Sequence, residues 1–281
     1  MEGQMPIIVA GMATMPSRVN YLEQVVQAIR PQVDFLRVYL NGFDEVPDFL
    51  DPEEALLSEQ ADGDLGAEGK FYWVDDPECL DYTHYLTIDD DIGYPHDYVE
   101  RLVDEFDRRD GKAIIGVHGS EFSFPIESFV DSRAQRYRYY EGLEQPEPVH
   151  ILGTATTLFS RETLDISLHD FPLRNTSDLQ LAIAAQNQGV PMIAIPRDPE
   201  WMTELRSWKE NGFSIWGVTK GAGKSQAKTE LAQNGVDEWV LFDDPIKTIQ
   251  SGDYVKPNRP GVVKTGPAIR EPISRDSLFP I

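Results

Sequence analysis

The sequence predicts an α/β fold with a mostly parallel central sheet, and three observations carry that prediction. Apolar runs of strand length recur through the first 200 residues. The first two flank a helix-length segment with one apolar face, which makes a β-α-β unit. Further runs then alternate with stretches at helical spacing. A β-α-β start places a ligand crevice at the carboxyl ends of the strands.

Each element follows in order. Residues 7–12 form an apolar run of the kind buried on both faces of a parallel sheet. Residues 17–29 read as a helix with Ser17 as N-cap, Leu22, Val25, Val26 and Ile29 on one face, and Pro31 as its stop. Residues 35–40 give a second strand before the turn-prone Asn41-Gly42. Between 43 and 69, Asp, Glu and Gly predict a short helix near 52–60 and then a loop. Residues 71–74 and 85–88 read as strands. Pro95 suits a helix start, and Tyr98, Leu102, Val103 and Phe106 carry the helix over 96–109. Residues 113–117 are a buried strand, and 119–149 are polar and aromatic without a clear period. A strand over 151–159, a helix over 179–188 closed by Gly189, and a strand over 191–196 complete the sheet. Beyond Trp201 the pattern weakens, and Trp208, Trp216 and Trp239 sit among Gly, Lys and Ser. The tail from residue 255 holds five prolines and five Lys or Arg. No internal repeat is present.

Composition bounds the function. Among 281 residues, 48 Asp and Glu stand against 25 Lys and Arg, a net charge of -23. Such a field repels phosphate backbones and excludes a nucleic-acid partner. A dense carboxylate shell also suits high intracellular salt, although an ordinary acidic protein reads the same way. The 41% hydrophobic content is enough to bury a core. The single cysteine, Cys79, allows neither an internal disulfide nor a cysteine zinc site, and the five histidines form no HExxH pair. No apolar run approaches the roughly 20 residues of a membrane helix, and the first residues are no signal peptide. A cytoplasmic location and no membrane segment are therefore expected, with a homo-oligomer left open.

The strongest chemical signal runs from Thr87 to Pro95. An apolar strand passes directly into Asp89-Asp90-Asp91, where three like charges repel unless a cation or solvent relieves them. Alternation along an extended segment turns Asp89 and Asp91 one way and Asp90 the other. Two carboxylates with phosphate oxygens and waters suit Mg²⁺ or Mn²⁺, whereas a solvated acidic turn is the plainer reading.

From these residues onward the chain resembles the GT-A glycosyltransferases, in particular family-2-like enzymes that use nucleotide sugars. The likeness covers about residues 5–200. It implies a DxD motif that ends a central strand, with Asp89 and Asp91 on the metal and Asp89 and Asp90 facing the donor. Residues 11–18 resemble the first strand-to-helix loop, which implies nucleotide contacts for Met12, Thr14 and Arg18. Asn41 stands where the resemblance implies a base or ribose contact. Asp64 to Phe71 is similar to the base-recognition loop, which implies donor contacts for Asp64 and Lys70. His150 to Thr156 resembles the Gly-rich stretch on the acceptor side, where Gly153 and Thr154 fall. Asn175 to Ala182 resembles the motif opening the helix that carries the catalytic base, which implies that role for Asp178.

Two features depart from the family pattern. Ser177 precedes Asp178 where a second acidic residue is usual, and Asp170 is the nearest substitute. All five histidines precede Asp178, so a downstream histidine ligand is absent. Plainer readings stand beside the functional ones. Arg18 could face solvent on its helix, Asp178 could cap its helix, and His118, after a strand, could line the acceptor pocket or be structural. Residues 217–225 fall short of a P-loop, because Val218 stands where GxxxxGK[ST] requires Gly. With Lys220 and Lys224 they read instead as a lid over a leaving diphosphate, or as a surface loop.

The sequence thus predicts a nucleotide-sugar-binding and catalytic domain over 1–200 and a lid with a Pro-rich tail over 201–281. The function expected is a metal-dependent, inverting glycosyltransferase that moves a sugar from a nucleotide-diphosphate donor to a glycan or other hydroxyl acceptor. The alternatives are an inactive nucleotide-sugar-binding or scaffold protein and a nucleotidyltransferase, although the latter's usual GxGxR-type signature is missing. Donor sugar, nucleotide and acceptor are not specified.

Overall fold

The protein is described here from a computed structural model, which covers residues 7–76, 82–205 and 222–251. Its centre is one eight-stranded mixed sheet. Strand β1 (Ile8–Thr14) leads through a 3-10 turn at Pro16–Arg18 into helix α1 (Val19–Ile29), and β2 (Phe35–Leu40) returns parallel to β1. Strand β3 (Ala55–Leu57) adds parallel to β2, and β4 (His84–Ile88) pairs with the other side of β1. After β5 (Ile92–Gly93) come helix α2 (Tyr98–Asp107) and β6 (Ile114–Gly116). Strands β7 (Gly119–Phe122), β8 (Arg133–Tyr137), β9 (Glu147–Val149), β10 (Ile151–Leu152) and β11 (Thr156–Phe159) follow. Helix α3 (Ser177–Gln188), β12 (Met192–Ala194), β13 (Thr203–Glu204), α4 (Ala222–Asn234) and α5 (Pro245–Ser251) complete the described chain.

The sheet order is β3-β2-β1-β4-β11-β6-β12-β9. Strands β1 to β4 are mutually parallel, and β12 is parallel to β6. Strand β11 runs antiparallel to both its neighbours, and β9 runs antiparallel to β12. Alternation along β1 explains the two-layered core. Ile8, Ala10 and Met12 join Leu22, Val25 and Val26 of α1 and Leu102 and Phe106 of α2, whereas Val9 faces Phe71, Tyr85 and Leu181 on the opposite side. Gly11 is required by a close approach: a Cβ there would lie 2.1 Å from the Lys70 carbonyl oxygen. Helix α3 ends at Gly189, whose φ of 66° supplies the left-handed stop.

Several expected elements differ. Residues 71–74 are not a strand but the end of a 3-10 helix (Gly66–Phe71) and the turns after it, with Tyr72 N–H bonded to Gly69 and Val74 N–H to Phe71. Their side chains are apolar because Phe71, Trp73 and Val74 fill the core, which a run of four residues cannot distinguish from a strand. The helix expected near 52–60 is β3 followed by a 3-10 turn at Ser58–Gln60. The single strand over 151–159 breaks at Gly153, so that β10 joins β7 and β8 in a small second sheet and β11 joins the large one. The hairpin β7–β8 lies in the stretch without a clear period. Ser17 lies in the 3-10 turn and caps nothing.

Candidate active site

Strand ends build the site. Thr14 closes β1, Asn41 follows β2 and Asp89 follows β4, so three parallel strands deliver polar side chains to one carboxyl edge. There a cleft of about 430 Å³ gathers Thr14, Arg18, Asn41, Asp64, Lys70, Asp89, Asp90, Asp91, Thr154 and Asp178. All were singled out from the sequence. Five of the lining residues are basic (Arg18, Lys70, Arg133, Arg174 and Lys228) and five are aspartates, a local balance unlike the net charge of -23.

The three carboxylates do different things. Asp90 is 1% exposed and accepts hydrogen bonds from Thr14 Oγ1 at 2.5 Å and Arg18 Nη1 at 2.6 Å. Burial pushes the Asp90 carboxyl up, and Arg18 and Thr14 pull it back. Asp91 reaches the same guanidinium at 3.3 Å, and Asp89 is ion-paired with the buried Lys70. Simple alternation fails because β4 stops at Ile88 and the aspartates enter a turn, where Asp90 and Asp91 both meet Arg18. Burial opposes the Arg18 charge, but the adjacent aspartates outweigh it and hold the side chain firmly charged. Arg18 is therefore a cleft residue and not a solvent-facing one.

Lys70 joins the two ends of the site. Its Nζ also lies 3.4 Å from the Thr154 carbonyl oxygen. Thr154 in turn donates to Asp178 Oδ1 from its backbone N–H at 2.9 Å and from its hydroxyl at 2.7 Å. Burial raises the Asp178 carboxyl, but these bonds and the charges of Arg133 and Lys70 prevail and hold it below the ordinary range. Asp178 lies one residue inside α3 and caps nothing. Glu68 does the capping instead. Its buried carboxylate accepts from the N–H of Thr176, the N-cap residue of α3, at 2.8 Å and from that of Asn175 just before it at 2.7 Å, satisfying a donor that a helix start leaves open.

No protein-family model matches the chain, and no curated protein matches it.

Some expected positions lie elsewhere. Met12 points into the core at 0% exposure with Ala10 and Ile8, whereas Ala13 and Thr14 reach the cleft because they end β1 at its carboxyl edge. Asn41 lines the cleft, but its amide is engaged reciprocally by Gly66, donating at 3.0 Å and accepting at 3.1 Å. Asp64 is ion-paired with Arg174. His118 and Gly153 stand behind the wall: a Cβ on Gly153 would lie 3.3 Å from the His118 ring, and the lining takes in only Thr154 from that loop. Asp170 closes a capping box with Ser167 away from the cleft. Lys220 lies outside the described residues, and Lys224 is on the first turn of α4. Among the described residues, no three His, Cys, Asp or Glu side chains converge as a ready-made metal cluster. No described helix is long and apolar enough to cross a membrane.

The site also contains residues that the sequence did not announce. Glu68, Arg133, Arg174 and Asn175 come from segments without periodicity. The Asn-Thr-Ser run before Asp178 was the one available signal, since Asn175 takes a φ of 60°, which Asn tolerates better than most residues.

His118 gives a pH prediction. Burial lowers its imidazole to about 4, with Asp178 opposing. The unfolded chain then binds this proton near pH 6.5 and the folded chain only near pH 4. Stability from this group is full above pH 6.5 and declines between pH 6.5 and 4, by about 3 kcal/mol in all. Urea unfolding across that window should show the decline, and His118→Gln should make it shallower, the remainder coming from His84 and His150, which burial also lowers. An unchanged pH slope in the variant would assign the effect to another group.

Proposed function

We propose that the chain is a GT-A-type glycosyltransferase that moves a sugar from a nucleotide-diphosphate donor to an acceptor hydroxyl. One observation carries this reading. A carboxylate turn at a strand end and a separate carboxylate suited to act as a base face one cleft, joined through Lys70 and Thr154.

The roles follow from position. Asp178 is ionised at neutral pH and anchored through Oδ1, so Oδ2 is the oxygen that takes the acceptor's proton. The deprotonated oxygen forms the new bond to the anomeric carbon. The bond from that carbon to the diphosphate oxygen breaks, and the diphosphate leaves with the electron pair. Because the Asp178 carboxyl is a weak base, proton transfer accompanies C–O bond formation, when the hydroxyl becomes acidic. A single base opposite the leaving group implies inversion. Arg18 and Lys70 lie where departing negative charge would be met.

Oxygen donors at the cleft suit a hard cation: Asp89 and Asp91 would hold Mg²⁺ or Mn²⁺ in exchange for their pairing with Lys70 and Arg18, and the ion would supply charge neutralisation to a diphosphate. Two carboxylates suffice for such an ion, because phosphate oxygens and waters commonly fill the remaining positions.

A thermal-shift screen of nucleoside diphosphates with and without Mn²⁺ tests the reading. One nucleotide should stabilise the protein by about 2.7 kcal/mol at a hundredfold excess over Kd, in the presence of Mn²⁺. Asp91→Ala should remove the Mn²⁺-dependent part while leaving the fold intact. If no nucleoside diphosphate shifts the transition with the metal present, the proposed function is wrong.

A further inference from the structure

Helix α3 carries Asp178 in its first turn, and a helix start is commonly closed by the side chain of its own N-cap residue. Thr176 holds that position and is of the right type. Its hydroxyl donates instead to the Leu173 carbonyl oxygen at 2.6 Å and makes no cap bond. The acceptor for the Thr176 N–H comes from Glu68, 108 residues earlier in the chain. A local side chain could have closed this end, so the long-range contact serves more than the helix.

Glu68 lies on the 3-10 helix Gly66–Phe71, two residues before Lys70. That short helix is laced to the segment before α3. Asn175 Oδ1 accepts the Ala67 N–H at 3.2 Å, and a Cβ on Gly66 would lie 2.6 Å from the same oxygen. Glu68 ends this seam at 2% exposure with both carboxylate oxygens used, Oε2 by the Asn175 N–H and Oε1 by that of Thr176. A carboxylate suits two successive N–H groups, whereas an amide offers one acceptor and turns its own N–H toward the other donor. Beyond Glu68, Lys70 of the same helix reaches Asp89 and the Thr154 carbonyl oxygen. Asp178 is therefore held from two directions. Thr154 fixes its Oδ1, and Glu68 fixes the backbone two residues before it.

We propose that Glu68 is a positioning residue for the transfer reaction. It does not line the cleft, but it sets where α3 begins and so aims Asp178 Oδ2 at the acceptor hydroxyl. This role rests on the glycosyltransferase reading.

The test measures single-turnover release of nucleoside diphosphate from UDP-glucose, GDP-mannose and dTDP-glucose with Mn²⁺, with water or an oligosaccharide mixture as acceptor. Glu68→Gln should slow release at least about tenfold, as a misplacement of the base by a fraction of an ångström would. Calorimetry should find the affinity for the nucleoside diphosphate within about twofold of wild type, which separates kcat from donor binding. Glu68→Asp, which keeps two acceptor oxygens at shorter reach, should recover part of the rate and covers the case in which the glutamine variant does not fold. The deciding comparison is made in the Asp178→Asn background. A residue that acts only through Asp178 has nothing left to aim there, so adding Glu68→Gln should change the rate by less than about twofold. A purely structural role would lower the urea midpoint and leave the rate of the folded protein unchanged, which overturns the proposal. So does a Glu68→Gln loss that stays complete in the Asp178→Asn background, or one that falls on nucleotide affinity. A wild type that binds no nucleoside diphosphate and releases none from these sugars sinks the glycosyltransferase reading and takes the assignment with it, whereas the other failures leave that reading standing.

Discussion

Asp244→Ala is expected to destabilise the fold by about 3–5 kcal/mol, the range for breaking a buried ion pair from one side. Arg109 is 0% exposed at the end of α2, and its guanidinium donates to Asp244 through Nε at 2.8 Å and Nη2 at 2.6 Å. Glu105 takes Nη1 at 2.7 Å. Asp244 is 2% exposed, and its Oδ1 also accepts the N–H of Ile246 at the start of α5. Removal of the carboxylate thus leaves a buried guanidinium short of a partner and a helix start without its acceptor. The double variant Arg109→Met, Asp244→Ala should recover part of the loss, because no uncompensated charge then stays inside. Urea unfolding of the three proteins decides. A loss under about 1 kcal/mol in the single variant would mean that water reaches Arg109 once the carboxylate is gone.

The second large effect concerns turnover. Asp178→Asn should lower kcat by roughly 10² to 10⁴-fold, the span for loss of a general base. The amide can still accept from Thr154, so the local geometry should survive. Donor affinity should change little, because the proposed role of Asp178 is toward the acceptor. Single-turnover rates on the nucleotide found by thermal shift give the measurement. A variant with normal turnover would leave Asp178 as a structural partner of Thr154 only.

The parts of the fold that were legible in the sequence were those with a period. Helix α1 shows its buried face as Leu22, Val25, Val26 and Ile29, and β1, β2 and β4 are apolar runs bounded by turn residues. Segments whose burial comes from irregular backbone gave no such signal. Residues 71–74 pack their aromatics from turns, and the hairpin that carries Arg133 alternates too weakly to stand out. Within the site, the triple aspartate was visible because carboxylates directly after a buried strand are costly. Glu68 was not, since a buried carboxylate that caps a distant helix declares itself only when residues 68 and 175 are seen together. Asn41 shows the opposite error. Its place after β2 suggested a ligand contact, whereas its amide is committed to Gly66.

Strand β11 has a consequence for how the protein is made. It fills the middle of the sheet between β4 and β6, and Thr157 bonds to Thr87 across 70 residues of chain. A ribosome adding about 5–20 residues per second takes roughly 4–14 s to cover that distance. During that time the edge of β4, every residue of which is buried in the finished fold, has no partner on this side, and unpaired edges of this kind invite pairing between nascent chains. Truncations that end between α2 and β10 should therefore aggregate and not persist as half-domains. Expression of the intact chain should gain from slower initiation or from a chaperone that shields exposed strands.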